Sequence, residues 1–220
     1  MVNDKTISQK LAQKTMQELA KPKKIASRSR VWKDPKGYQY LGVWQNAALL
    51  RILVRVFTKG LPRREYRLKA QMDDEARSIK RNIEEGWKRP TTSEYLQFLG
   101  YSQGSLEELR GDIRDCKTDG FLPSRPLTTL KDLGFDLRVI KGPGKGRIWG
   151  EPTEPDHSYC QPLKTLKPGD LTYERFMELI NKTDFLLRRL VESLEEKLAR
   201  DKKYYQVERA RIRSKLLCRK

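Results

Sequence analysis

The chain has one histidine, three cysteines and no stretch approaching the ~20 apolar residues that a membrane-spanning helix requires. Each shortage closes off a class of function. His157 stands alone in Asp156-His157-Ser158-Tyr159-Cys160, so a Ser-His-Asp or Cys-His nucleophilic device would have to be built on it, inside a proline-rich segment. A structural zinc site needs about four ligands, and Cys116 and Cys218 lie in helical patterns elsewhere. Widely spaced cysteines without a C-x-x-C pair argue against a disulfide framework and for a reducing cytoplasm. Met1-Val2-Asn3-Asp4-Lys5 opens on no apolar run of the signal-peptide type, so the expectation is a soluble cytoplasmic protein. Gly142-Pro143-Gly144-Lys145-Gly146 lacks the Ser/Thr that follows the lysine of a phosphate loop. Acidic residues Asp73, Asp74, Glu75, Glu84 and Glu85 lack the Glu-x-x-His of a carboxylate-bridged metal centre. The sequence therefore predicts no enzyme, no catalytic residue, no cofactor and no metal.

What the chain does have is positive charge, with a formal net of +18 over 220 residues. Residues 1–37 hold ten Lys/Arg against three Asp/Glu, residues 196–220 again ten against three, and the central 158 residues only twenty-seven against twenty-three. Basicity therefore concentrates at two ends that frame a nearly balanced body, a distribution suited to a polyanion. Aromatic rings are interleaved with these charges: Arg28, Arg30, Trp32, Lys33, Lys36, Tyr38 and Tyr40 at one end, Lys202, Lys203, Tyr204, Tyr205, Arg209, Arg211 and Arg213 at the other. Cations neutralise phosphates and rings stack on unpaired bases, which points to single-stranded or structured RNA, with RNA or RNA/DNA as the expected partner. Arg28, Arg30, Lys33, Lys36, Lys202, Lys203, Tyr204, Arg209, Arg211 and Arg213 are the candidate contacts.

Hydrophobic spacing predicts four helices. In residues 41–58 the apolar positions cover most of a helical circumference, although residues 52–57 alone fit a helix or a strand. A helix apolar nearly all round must be buried on a second side, most simply by another subunit, with Val43, Trp44, Leu50, Val54 and Phe57 at the contact. Gly60-Leu61-Pro62 breaks the chain. Leu68, Met72, Ala76, Ile79, Ile83 and Gly86 then draw one seam along a second helix, residues 63–87, with Asn82 beside it as a register-fixing polar residue and Glu85 as a buried contact near its end. A capping box at Thr91-Thr92-Ser93-Glu94 opens the third helix, whose seam is Tyr95, Leu99, Ser102, Leu106, Leu109, Ile113 and Cys116.

Residues 118–170 carry seven prolines and seven glycines, which preclude long helices; segments 134–140 and 146–149 form a β-hairpin candidate within a small inserted module or an irregular excursion. Asp170 is the candidate cap of the last helix, whose seam runs Phe176, Leu179 or Ile180, Thr183, Leu187, Leu190, Leu194 and Leu198 before charge replaces packing. The expected fold is all-α: an antiparallel up-down four-helix bundle with a Pro/Gly-rich insertion between helices 3 and 4. The expected divisions are a basic arm (1–37), bundle helices (38–117), the insertion (118–170), the fourth helix (171–200) and a basic extension (201–220).

Two motifs narrow this further. Ser78-Ile79-x-x-Asn82-Ile83-x-Glu85-Gly86 and Gly104-Ser105-Leu106-x-Glu108-Leu109, with Leu41-x-Val43-Trp44 and Leu61-Pro62-x-x-Glu65, resemble the bacterial four-helix-bundle proteins. These include the proteins of ribosomal-RNA intervening sequences and the accessory variability proteins of diversity-generating retroelements. The resemblance implies a homopentameric barrel, and in the retroelement branch a nucleic acid and a reverse transcriptase as partners. Members are usually shorter, without the N-terminal arm, the insertion or the basic C-terminal end. The expectation is a non-enzymatic RNA-binding bundle, with a structural or protein-interaction bundle carrying solubilising tails as the alternative.

Overall fold

The computed structural model of the protein describes residues 34–135 and 165–217, together with Leu137 and Leu163. Among the described residues there are four long helices and no strand: α1 (Gly42–Gly60), α2 (Tyr66–Trp87), α3 (Thr92–Thr118) and α4 (Tyr173–Leu217). Side chains of α4 are described as far as Val207, and at Ala210.

Every predicted seam faces inward. Met72, Ala76, Ile79, Ile83 and Gly86 of α2 and the whole α3 seam from Tyr95 to Cys116 are buried. Phe176, Leu179, Ile180, Thr183 and Leu187 of α4 join them, and beyond Leu187 the seam residues Leu190, Leu194 and Leu198 are only partly covered. Across α1 and α2, Trp44 Nε1 donates to Glu84 Oε1 at 2.9 Å and Thr58 Oγ1 to Asp73 Oδ1 at 3.0 Å. Between α2 and α3, Ser102 Oγ donates to the Ile79 carbonyl at 3.0 Å, and Cys116 Sγ lies 3.9 Å from Met72 Sδ. Between α3 and α4, Arg110 lies 3.5 Å from Asp184 and Lys117 stands over the Tyr173 ring. In all three pairs residue numbers rise along one helix as they fall along its neighbour.

The breadth of α1 has an internal explanation. Val43, Leu50, Val54 and Phe57 are buried within the single chain, covered by α2, α4 and the 3-10 turn Pro168–Asp170. Phe57 meets Phe176 edge to face at 5.8 Å, and a Cβ placed on Gly60 would fall 2.8 Å from Pro168 Cβ. Trp44 is half-buried, with Tyr38 against its edge and Lys80 over its ring. Val43, Leu50, Val54 and Phe57 therefore need no second subunit to bury them, while Trp44 stays half-buried.

Residues 118–135 also differ from the expectation of a separate insertion. Gly120 takes a left-handed conformation (φ 78°) that closes α3, and Phe121 and Leu122 N–H donate back to the Cys116 carbonyl. Leu122, Leu130 and Phe135 are buried in the core. Long-range bonds pin the segment to the start of α4: the Arg125 and Leu130 amides donate to Glu174 and Glu178 at 2.8 Å, and Arg175 Nε donates to the Thr129 carbonyl at 2.9 Å. Segment 134–140 therefore begins on a left-handed Gly134 after the 3-10 turn Leu130–Leu133, its Phe135 is buried in the core, and residues 136, 138–140 and 146–149 of the hairpin candidate lie outside the described residues.

Two local readings are corrected. Helix α2 starts at Tyr66 rather than residue 63, because Arg63–Glu65 form a separate 3-10 turn after Pro62. The last helix is capped by Thr172, whose Oγ1 accepts from the Arg175 N–H, whereas the Asp170 carboxylate is used by the Lys167 amide.

Candidate nucleic-acid interface

Helix α4 carries the C-terminal candidate contacts. At 1.5 Å per residue its 45 residues span about 68 Å, while α3, its neighbour, has 27 residues and spans about 40 Å. Among the described residues the surplus has no helix of matching length beside it, and every side chain from residue 199 to 207 is exposed. Lys202, Lys203 and Tyr204 lie in this run, with Tyr204 73% and Tyr205 67% exposed. An exposed tyrosine ring flanked by ammonium groups is the combination that takes a base face and its phosphate. Arg209, Arg211 and Arg213 continue on the same helix, and their side chains are outside the description.

The N-terminal set is only partly placed. Arg28, Arg30, Lys33 and Trp32 lie outside the described residues, while Lys36 is exposed just ahead of the 3-10 turn Gly37–Tyr40. Tyr40 is 48% exposed, but Tyr38 packs against Trp44 at 5.4 Å and is not a free stacking ring. The structure thus brings Lys202, Lys203 and Tyr204 together on one helix and does not join them to the N-terminal arginines.

Of the motif residues Ser78, Asn82, Glu85, Gly86, Gly104, Ser105 and Glu108, Gly86 is buried, Ser78, Asn82 and Ser105 are half-buried, and Glu85, Gly104 and Glu108 are exposed. Gly86 permits the close approach: a Cβ there would stand 2.5 Å from the Tyr95 ring and 2.8 Å from Phe98 Cβ, so both would have to shift for α2 and α3 to close. Thr91 makes the predicted capping box, its hydroxyl accepting from Glu94 N–H and Glu94 Oε2 accepting from Thr91 N–H. Asn82 and Ser78 are half-buried, and Ser102 on the Ile79 carbonyl is a buried polar contact between α2 and α3. Glu85 is exposed, which corrects the buried contact expected of it, and Gly104 has open space around its Cα.

Beside the seam is a carboxylate cluster that spacing did not single out. Burial raises the Glu75 carboxyl, with Glu108 hydrogen-bonded to it raising it further and Ser105 acting in the opposite direction. Burial first, then the charges of Asp115 and Glu108, push Asp112 from its ordinary 3.8 to about 6. Gln71 Nε2 donates to Asp112 Oδ1 at 3.1 Å, and Oδ2 has no partner among the described residues. Their chemistry is that of crowded acids beside an apolar seam. Burial also pushes the Cys116 thiol up to about 12, which removes it as a nucleophile.

Among the described residues no three His, Cys, Asp or Glu side chains gather as a metal site, and no helix is long and apolar enough to cross a membrane. His157 and Cys160 lie outside the described residues.

The described residues define an all-helical fold built on a glycine-closed α2–α3 seam, with a helical extension at the C-terminal end. Residues 39–137, which span α1, α2, α3 and the fold-back that follows, are similar to the family of 23S rRNA-intervening sequence proteins. The matched segment reaches past Cys116 to the residues that pack against α4. No curated protein matches the chain.

Proposed function

We propose that the chain is a non-enzymatic RNA-binding protein: an antiparallel up-down four-helix bundle that presents α4's basic extension, together with the basic N-terminal arm, to a phosphate backbone. The observation that carries the reading is the exposed run at residues 199–207, where Lys202, Lys203, Tyr204 and Tyr205 have no core to build. The family's printed name ties it to ribosomal RNA genes and agrees with a nucleic-acid setting. On the motif resemblance, a homo-oligomer and a reverse transcriptase partner belong to the same proposal, and cross-linking and copurification test them. The oligomer has to use a surface other than Val43, Leu50, Val54 and Phe57, which the protomer already buries.

The test replaces Lys202, Lys203 and Tyr204 together by alanine in the full chain and measures affinity for a 20-nucleotide oligouridylate. Stacking contributes about 1–3 kcal/mol per base, so removal of the ring and two charges weakens binding at least tenfold with the thermal midpoint unchanged. Unchanged affinity contradicts the assignment of the extension. The alternative, a protein-interaction bundle with solubilising tails, predicts that unchanged value.

A further inference from the structure

The body is balanced only on average. Residues 51–69 hold seven Lys/Arg and one acid, a net of +6 in 19 residues, while the remaining 139 residues of the body hold twenty against twenty-two. This is a denser concentration than either end of the chain. Helix α1 contains no acidic residue, and its three cations, Arg51, Arg55 and Lys59, are spaced four apart. They therefore step about 6 Å along one helix face. Arg63 and Arg64 of the intervening turn and Arg67 at the start of α2 extend the series.

Arg55, Lys59, Arg63, Arg64 and Arg67 are exposed, and Arg51 is half-buried. The acids around them are already engaged: Glu65 lies 3.4 Å from Arg64, Asp73 accepts from Thr58, and Asp74 lies 3.1 Å from Arg77. Among the described residues no carboxylate pairs with Arg51, Arg55, Lys59, Arg63 or Arg67. Tyr66, 63% exposed, sits within the series, and Arg67 Nε donates to its hydroxyl at 3.2 Å. Five cations with no paired carboxylate, following one another along α1, the turn and the start of α2, repel each other, a cost that a polyanion removes.

We propose that the α1–α2 junction is a track for the backbone of a single-stranded nucleic acid, with Arg51, Arg55, Lys59, Arg63 and Arg67 on successive phosphates and Tyr66 stacked on an unpaired base. This rests on the nucleic-acid reading above and adds to it a second surface in the body itself. Charge complementarity selects a polyanion. A membrane surface would need apolar side chains to insert, and the apolar side of α1 is buried in the core. A duplex hides its base faces, so the exposed ring selects an unpaired strand.

The experiment compares the full chain with an Arg55→Ala/Lys59→Ala/Arg63→Ala variant. Its control removes three scattered exposed cations (Arg114→Ala/Lys131→Ala/Arg189→Ala). Binding of a fluorescent 20-nucleotide oligouridylate is titrated from 50 to 200 mM salt, with melting curves run in parallel. Loss of three phosphate contacts reduces the slope of log affinity on log salt by about 2 and the affinity at 0.1 M salt by roughly ten- to a hundredfold, with the melting curve and the control unchanged. A 4-thiouridine strand cross-links to Tyr66. Parental slope and affinity in the junction variant overturn the track while leaving the nucleic-acid reading intact, whereas no binding by the parent at 50 mM salt overturns both. Equal competition by a 20-base-pair duplex overturns the single-strand assignment, and preference for phosphatidylserine vesicles overturns the choice of partner.

Discussion

The two halves of α4 share one spacing and have opposite fates. Phe176, Leu179, Ile180 and Leu187 are fully buried where α4 packs on α1 and α3, whereas Tyr204, Tyr205 and Val207 stand in solvent. The difference comes from the lengths of the neighbours, since α1 has 19 residues, α2 has 22 and α3 has 27 against 45 in α4. Periodicity shows where a helix can pack, and the reach of its partners decides whether it does. The buried half is specified by shape and the free half by charge, so substitutions in the two halves should move different measurements.

The largest effect is expected in the buried half. Phe176→Ala removes a ring that meets Phe57 in the core and should cost about 3–5 kcal/mol in a denaturant melt. Tyr204→Ala should stay within about 0.5 kcal/mol of the parent and change only RNA affinity. Equal destabilisation by both would erase the distinction.

Next in size is Gly86→Ala. The added methyl has to displace the Tyr95 ring and Phe98, an overpacking cost of about 1–3 kcal/mol. A neutral result would mean that the seam has slack that its geometry does not show.

Asp112→Asn sharpens the contrast through pH. The folded chain holds the Asp112 proton up to about 6 and the unfolded chain only to about 3.8, so between those values the native state binds more protons. Stability from this group falls as pH rises through that window. The asparagine variant should therefore be more stable at pH 7, by on the order of 1 kcal/mol after allowing for solvent screening at the seam's edge, and the gain should vanish near pH 3. Melting curves at the two pH values check the sign.

The smallest effect belongs to Gly104→Ala. No atom lies within 4 Å of the new methyl, so relief of glycine's backbone entropy should stabilise the helix by about 0.5–1 kcal/mol. Two glycines from the same pair of motifs would then respond with opposite signs.

Much of the fold was legible because α2 and α3 each bury one narrow stripe, and steps of three and four residues pick out such a stripe directly. The Thr91–Glu94 box was readable because its two bonds are local. The Thr172 cap was missed because a 3-10 turn at Pro168–Asp170 places another oxygen-bearing side chain two residues earlier. The fold-back of residues 118–135 has no period to read, since its bonds to Glu174, Arg175 and Glu178 cross more than 45 residues. Of the candidate contacts, the charge count located both basic ends. Averaging over the 158-residue body concealed the concentration at residues 51–69, which a shorter window along α1 would have found.

The most direct test of a cationic scaffold for nucleic acid is the salt dependence of oligouridylate binding by the full chain. Contact with about six to ten phosphates predicts that affinity falls on the order of 10³- to 10⁵-fold between 50 and 200 mM salt. An affinity indifferent to salt over that range, or no binding at its lower end, would contradict the account.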